Sequence, residues 1–80
     1  MKLPREVSGK ELVRALEKIG YERIRQKGSH STLVYRTPEE HHITVPLHNP
    51  LKLGMLAGIV SDVARNRKIS KEDLIQELFG

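Results

Sequence analysis

Apolar residues recur at two different spacings along the chain. Between residues 9 and 19 they return every three or four positions, as in a helix with one buried face. Ser8 and Glu11 precede this pattern at the spacing of a capping box, in which each side chain binds a free backbone N–H at the helix start. Gly20 follows, and glycine ends helices well because it adopts positive φ without penalty. The pattern therefore predicts a first helix over residues 9–19.

From Tyr21 onward the apolar spacing changes to two, which is the period of β-strands. The segments YERIRQK, STLVYRT and HHITVPL follow this pattern and are separated by Gly28-Ser29 and by Pro38–Glu40. Short turns between strands predict an antiparallel meander. Pro46 marks the third strand as an edge strand or as the point where pairing stops.

Two more helical patterns follow the strands. One runs from about Met55 to Arg65, and a shorter one opens at Ser70, three residues before Asp73. The order helix, three strands, helix, short helix predicts a two-layer α+β fold, in which helices cover one face of a three-stranded antiparallel sheet. We expect one domain over residues 1–80, because the chain is short and its pattern contains no linker.

Alternation along the strands predicts which residues lie on the uncovered face of the sheet. A three-residue turn at Pro38–Glu40 would place Tyr35 opposite Ile43 and Leu33 opposite Val45, with these apolar pairs facing the helices. In the first strand, Ile24 is expected to face the helices, so the residues on either side of it would face outward. The residues then expected on the uncovered face are Tyr21, Arg23, Arg25, Lys27, His30, Thr32, Val34, Arg36, His42, Thr44 and His48, with His30 opposite His48.

Charge gives this face its chemical character. Lysine and arginine outnumber the acidic residues 14 to 10, and the formal net charge is +4. No acidic residue lies between Arg23 and Thr37, where four cations occur: Arg23, Arg25, Lys27 and Arg36. A local basic surface favours a polyanionic partner, of which nucleic acid is the most common. The alternative is a solvated basic strand that only aids solubility.

Composition also limits the other classes of function. The chain has no cysteine, and its start lacks the apolar region of a signal peptide. Its longest apolar stretch, LGMLAGIV, is far shorter than the ~18 residues of a membrane span, so we expect a soluble, cytoplasmic protein with no membrane partner. The adjacent His41 and His42 would face opposite ways on a strand, and we expect neither a metal site nor a cofactor.

His30 is the candidate catalytic residue. An unperturbed histidine side chain has a pKa near ~6.5, so this type of residue accepts and returns a proton at cellular pH. In RNA it would remove the proton of a 2′-hydroxyl, whose oxygen then attacks phosphorus and expels the 5′-oxygen of the next nucleotide. An ordinary exposed histidine is the alternative. His48 would either support His30 or only pack or cap in the loop that follows the third strand.

The residues around His30 suit an RNA phosphate. Arg23, Arg25 or Lys27 would stabilise charge that builds on the phosphate oxygens. Gly28 and Ser29 would let a phosphate approach the backbone closely.

Three segments of the chain resemble the HicA (YcfA-like) toxins of prokaryotic type II toxin–antitoxin pairs: SGKELVRALEKIGYERIRQKGSH, ITVPLH and LGMLAGIVSDV. The resemblance runs from about Pro4 to Leu74. Its most specific pieces are Gly20-Tyr21, Gly28-Ser29-His30, and Pro46-x-His48 followed by Gly54. The chain departs from the pattern at Met55, where many relatives have a small hydroxyl residue, and in the drawn-out segment after the second helix.

The resemblance implies a fold similar to the double-stranded-RNA-binding domain and an endoribonuclease that cleaves mRNA without the ribosome, with His30 as its catalytic residue. The attack by a 2′-hydroxyl needs no metal ion, so we expect the cleavage to be metal-independent. It also implies a HicB-type antitoxin that binds the toxin, masks the active site and forms a hetero-oligomer that represses its own operon. A non-catalytic RNA-binding module with the same fold is the alternative.

Overall fold

Helices and strands follow one another in the predicted order. The computed structural model describes residues 3–4 and 6–80. Within these residues the elements are α1 (Gly9–Lys18), β1 (Glu22–Lys27), β2 (His30–Tyr35), β3 (His41–Pro46), α2 (Leu53–Arg67) and α3 (Lys71–Phe79). The strands form one antiparallel sheet in the order β1-β2-β3. The predicted α+β fold is confirmed, including the short C-terminal helix.

The predicted capping residues begin α1 and α3. Glu11 N–H donates to Ser8 Oγ at 3.1 Å, and Ser8 N–H donates to Glu11 Oε1 at 3.0 Å, which completes a capping box. Asp73 N–H donates to Ser70 Oγ at 3.0 Å in the same way at the start of α3. Gly20 follows α1 with φ of +111°, as its predicted role in ending the helix requires.

One apolar core joins all three helices to the sheet. Leu33, Ile43 and Val45 of the sheet belong to the same buried cluster as residues of α1, α2 and α3. The cluster therefore identifies the face of the sheet that the helices cover. α2 extends from Leu53 to Arg67, two residues beyond its predicted end at each terminus. No helix in the described part of the chain has the length and apolarity needed to cross a bilayer.

The register between β2 and β3 differs from the prediction by two residues. Leu33 pairs with Ile43 and Tyr35 pairs with His41, so the expected pairing of these two residues with Val45 and Ile43 is wrong. The physical reason is that the connection spans residues 36–40 rather than only three residues. Since side chains alternate with a period of two, this shift changes cross-strand partners but leaves every residue on its predicted face.

A bulge in β1 overturns the predicted orientation of that strand. The register shifts between Arg23 and Arg25, so Ile24 is an extra residue without a partner on β2. Ile24 is 43% exposed and does not belong to the core, contrary to its predicted inward orientation. Tyr21, expected outside, is 3% exposed and packs in the core. Because of the bulge, the regular alternation of inward and outward side chains is interrupted at Ile24, so residues before and after it do not follow one pattern.

Val34 is the other residue whose predicted exposure is wrong. Its side chain points away from the helices, because its neighbour Leu33 points towards them. Even so, Val34 is fully buried. It lies on the central strand, between Glu22 of β1 and His42 of β3, so neighbouring strands flank it on both sides.

Candidate functional site

A two-residue turn positions His30 at the first position of β2. Lys27 pairs with His30 across the turn, which is formed by Gly28 and Ser29. Gly28 has φ of +58° and occupies the first turn position, where glycine suits the twist of a tight hairpin. Among the described residues, no atom outside Gly28 and its two chain neighbours lies within 4 Å of the place that a Cβ on Gly28 would occupy. The backbone of the turn is therefore open to a close approach by a ligand.

The His30 side chain is free. His30 lies on the face opposite the core, because its neighbour Ser31 and the following Leu33 are buried on the helix side. The residue is exposed, and within residues 3–4 and 6–80 its ring forms neither a hydrogen bond nor an ion pair. Both ring nitrogens are consequently available for proton transfer.

Backbone contacts support the strand end that carries His30. His30 pairs with Pro46, and Leu47 N–H donates to Ser29 C=O at 2.6 Å just beyond that pair. Gly9 N–H donates to His48 C=O at 2.8 Å. A Cβ on Gly9 would overlap the carbonyl oxygen of Pro46, so only glycine allows α1 to begin this close to β3.

The predicted position of His48 is wrong. Pro46, not His48, lies opposite His30, because the register differs by two residues. His48 is exposed beyond the end of β3, and its backbone carbonyl accepts the hydrogen bond from Gly9. Its predicted supporting role in the chemistry of His30 stays a prediction.

Two of the four predicted cations lie beside His30. Lys27 is its direct partner across the hairpin, and Arg25 pairs with Thr32, so both share the uncovered face. Arg23 does not, since it pairs with the core residue Leu33 on the helix side. The expectation that Arg23 points outward is therefore wrong, again because of the bulge.

Arg36 lies at the other end of β2 and is paired with acids. Its Nε donates to Glu22 Oε1 at 3.1 Å, and its Nη1 donates to Glu40 Oε2 at 2.9 Å. A hydrogen bond from His42 and the charge of Arg36 lower the pKa of the Glu40 carboxyl. The segment from Arg23 to Thr37 contains no acidic residue, so the sequence suggested that Arg36 was unpaired. Its two acidic partners lie just outside that segment.

The prediction missed a second group of cations, on α1. Lys10 and Arg14 line a cleft of about 240 Å³ between α1 and β1, together with Glu17, Arg23 and Gln26. In the sequence, Lys10 and Arg14 had only the pattern of a solvated helix face. The sequence did contain a signal for this group of cations: Lys10 and Arg14 are four residues apart, which places them side by side on the helix.

A network of side chains occupies the opposite end of the sheet. Tyr21 Oη lies 2.7 Å from His41 Nδ1, and His41 Nε2 lies 3.3 Å from Asp62 Oδ2. A tyrosine hydroxyl that donates to Nδ1 leaves the ring proton on Nε2, facing the carboxylate. Burial, and then the charge of Asp62, raise the pKa of Tyr21 to about 12.

The two adjacent histidines of β3 therefore have different surroundings. His41 is half-buried between Tyr21 and Asp62, whereas His42 is exposed and lies 3.2 Å from Glu40 Oε1. No group of three or more histidine, aspartate or glutamate side chains that could hold a metal ion occurs among the described residues.

Comparison with known families gives one result that bears on this site. The model of a family described as the HicA toxin of bacterial toxin-antitoxin matches residues 9–64. The matched segment contains α1, the whole sheet and most of α2, and so includes Gly28-Ser29-His30. Searches of curated proteins and of solved structures give no match.

Proposed function

The chain belongs to the HicA toxin family of bacterial toxin–antitoxin systems, and on that premise we propose that it is a metal-independent endoribonuclease that cleaves mRNA, with His30 as its general acid–base. The observation that carries the proposal is the free, exposed imidazole of His30 at the end of a tight turn, next to Lys27.

The proposed reaction is cleavage of the RNA backbone by a ribose 2′-hydroxyl that the His30 imidazole activates. Neutral His30 removes the proton of a ribose 2′-hydroxyl, and the oxygen attacks the adjacent phosphorus. The bond from phosphorus to the 5′-oxygen breaks, which leaves a 2′,3′-cyclic phosphate on one product. The departing 5′-oxygen takes a proton from a water molecule, and the imidazolium gives its own proton to that water, so His30 acts first as the base and then as the acid. Every proton and bond is accounted for without a metal ion.

The groups around His30 suit the phosphate in this reaction. Arg25 and Lys27 share its face and provide positive charge where the phosphate oxygens become more negative. The open backbone at Gly28 lets a phosphate approach the turn closely.

Membership in the family also implies a cognate antitoxin. We propose a HicB-type protein that covers the His30 surface in a hetero-oligomer and so prevents RNA from reaching it. Since mRNA is the proposed substrate, the cytoplasm is the proposed site of action.

Incubation of the purified protein with RNA tests the proposal. We expect cleavage that survives EDTA, leaves 5′-hydroxyl and 2′,3′-cyclic phosphate ends, and does not occur on DNA of the same sequence, which lacks the attacking hydroxyl. Cleavage that requires a metal ion, or that leaves 5′-phosphate ends, would contradict it. RNA binding without cleavage, weakening steeply as salt rises, would favour the non-catalytic RNA-binding module instead.

A further inference from the structure

We infer that the cleft between α1 and β1 is a phosphate-binding subsite, in which Lys10 and Arg14 hold the RNA strand next to the phosphate that is cut. The inference rests on the proposed function, because it names RNA as the ligand. It adds a surface on the helix side of the sheet, which the motif around His30 does not include.

The charge of the cleft favours an anion. Three cations, Lys10, Arg14 and Arg23, line it together with one acid, Glu17. The acid is only loosely engaged, since Arg23 Nε lies 3.9 Å from Glu17 Oε2 and both side chains are exposed by more than a third. Neither Lys10 nor Arg14 forms an ion pair within the part of the chain that the structure describes. Their charges are therefore available to a ligand.

The cleft adjoins the hairpin that carries His30. Leu47 lines the cleft, and its N–H donates to the carbonyl of Ser29, the residue before His30. Gln26 also lines the cleft and precedes Lys27, the partner of His30 across the hairpin. The cleft lies on the helix-covered face of the sheet and His30 lies on the uncovered face, next to the edge strand β1. A strand of RNA that crosses this edge near the turn would reach both.

The shape of the cleft favours a nucleic-acid backbone over other ligands. Its volume of about 240 Å³ is below the ~300 Å³ at which small-molecule pockets begin. Its apolar lining is limited to Val13 and Leu47, so it lacks the aromatic or aliphatic pocket that anchors a typical protein partner. An open groove lined by long cationic side chains is the arrangement that follows the backbone of single-stranded nucleic acid.

The test compares two double variants with the same change in charge. Lys10→Gln/Arg14→Gln removes both free cations of the cleft. Lys68→Gln/Lys71→Gln removes two exposed lysines from the end of α2 and the start of α3, of which Lys68 lies in a cleft with Tyr35 and Pro38 at the far end of β2 from His30. Affinity is measured with a mixed-sequence 2′-O-methyl RNA, which cannot be cleaved, and cleavage with the matching unmodified RNA.

We expect the Kd of Lys10→Gln/Arg14→Gln to rise about tenfold, and the slope of log K against log salt to fall by about 1.4, which is the loss of two phosphate contacts on a single strand. The loss of cleavage should appear in KM rather than in kcat. Glu17→Gln provides a change of opposite sign, since it removes the acid of the cleft, and should tighten binding about threefold. A misfolded variant would not show such a gain.

Other results would overturn the inference. If Lys10→Gln/Arg14→Gln binds RNA like the Lys68→Gln/Lys71→Gln control, the cleft is not a phosphate site, even if the wild-type protein cleaves RNA. If the variant loses binding of the antitoxin alone, the cleft recognises protein rather than RNA. If the wild-type protein binds RNA without cleaving it, the proposed endoribonuclease is wrong, and the Kd and salt slope still decide the role of the cleft. If the wild-type protein neither binds nor cleaves RNA, both the proposed endoribonuclease and the proposed phosphate subsite are wrong.

Discussion

The two ends of the sheet are held in different ways. At the end with the Gly28-Ser29 turn, backbone groups make the contacts: Leu47 N–H binds Ser29 C=O, and Gly9 N–H binds His48 C=O. At the far end side chains make them, through the network of Tyr21, His41 and Asp62. One imidazole, His41, has polar partners at both nitrogens.

The difference explains how one histidine can be kept free. Because backbone contacts stabilise the turn end, the His30 side chain is not needed there for stability. At the far end the imidazole of His41 is itself part of the packing. Both nitrogens of His41 already contact protein groups, so a substrate hydroxyl would have to displace one of them, whereas the free ring of His30 has no such competitor. The contrast therefore supports His30 over His41 as the group that does chemistry.

The backbone contact at the turn end is tested by Gly9→Ala. The added Cβ would overlap the Pro46 carbonyl oxygen and lie 2.7 Å from Leu47 Cα, both of which are backbone atoms that cannot simply rotate away. We expect the free energy of unfolding to fall by about 3 kcal/mol in urea titrations.

Gly58→Ala is the matched control for that change. Gly58 lies within α2, and in the part of the chain that the structure describes a Cβ at that position would meet no atom within 4 Å beyond its chain neighbours and the backbone of the helix itself. Since alanine is the better helix former, we expect a gain of about 0.5–1 kcal/mol. Equal effects of the two substitutions would contradict the close approach of α1 to β3.

The side-chain network at the far end is tested by His41→Ala. The substitution removes the partner of the buried Tyr21 hydroxyl, so we expect a loss of about 2 kcal/mol in the free energy of unfolding. His42→Ala is the control, because His42 is exposed at the adjacent position and should cost less than about 0.5 kcal/mol. An equally small cost at His41 would show that the network does not stabilise the fold.

The same network predicts a change of stability at alkaline pH. The pKa of Tyr21 is raised to about 12 in the folded protein, whereas an unfolded tyrosine has a pKa near 10. A raised pKa contributes stability that is complete below pH 10 and is lost as the pH rises from 10 through 12. By pH 12 the loss should be about 2 kcal/mol relative to Tyr21→Phe, which lacks the ionisable group. Parallel pH profiles for the two proteins would contradict the assigned shift.

The smallest expected effect concerns Ser31, next to His30. Its side chain is fully buried, and its Oγ has no hydrogen-bond partner among residues 3–4 and 6–80. Replacing it with alanine removes an unsatisfied polar group, so Ser31→Ala should leave the protein equally stable or stabilise it by up to about 1 kcal/mol. A loss above about 1 kcal/mol, measured by thermal unfolding, would show that the hydroxyl has a partner.

Sequence reasoning was sufficient where local rules determine structure. The capping residues Ser8 and Ser70, the positive φ of Gly20 and the turn at Gly28-Ser29 were all readable from residue type and spacing. The face of His30 was also correctly predicted, because an error of two residues in register keeps every side chain on its face. That the chain forms one domain stays a prediction.

The remaining features depend on contacts between distant segments. The predicted orientation of β1 relied on one apolar residue, Ile24, and this residue is in the bulge. The ion pairs of Arg36 and the network of His41 join residues from different elements, which no local pattern encodes. The catalytic role of His30 stays a prediction that only activity measurements decide. The predicted RNA-binding roles also stay predictions, and they concern Arg23, Arg25, Lys27, Gly28, Ser29 and Arg36.

Single-turnover cleavage of one RNA by His30→Ala and by His41→Ala tests the catalytic role of His30 most directly, at a temperature where both variants are folded. We predict that His30→Ala is slower than the wild-type protein by about 10²–10⁴-fold, while His41→Ala retains the wild-type rate. Wild-type cleavage by a folded His30→Ala protein would contradict the assignment.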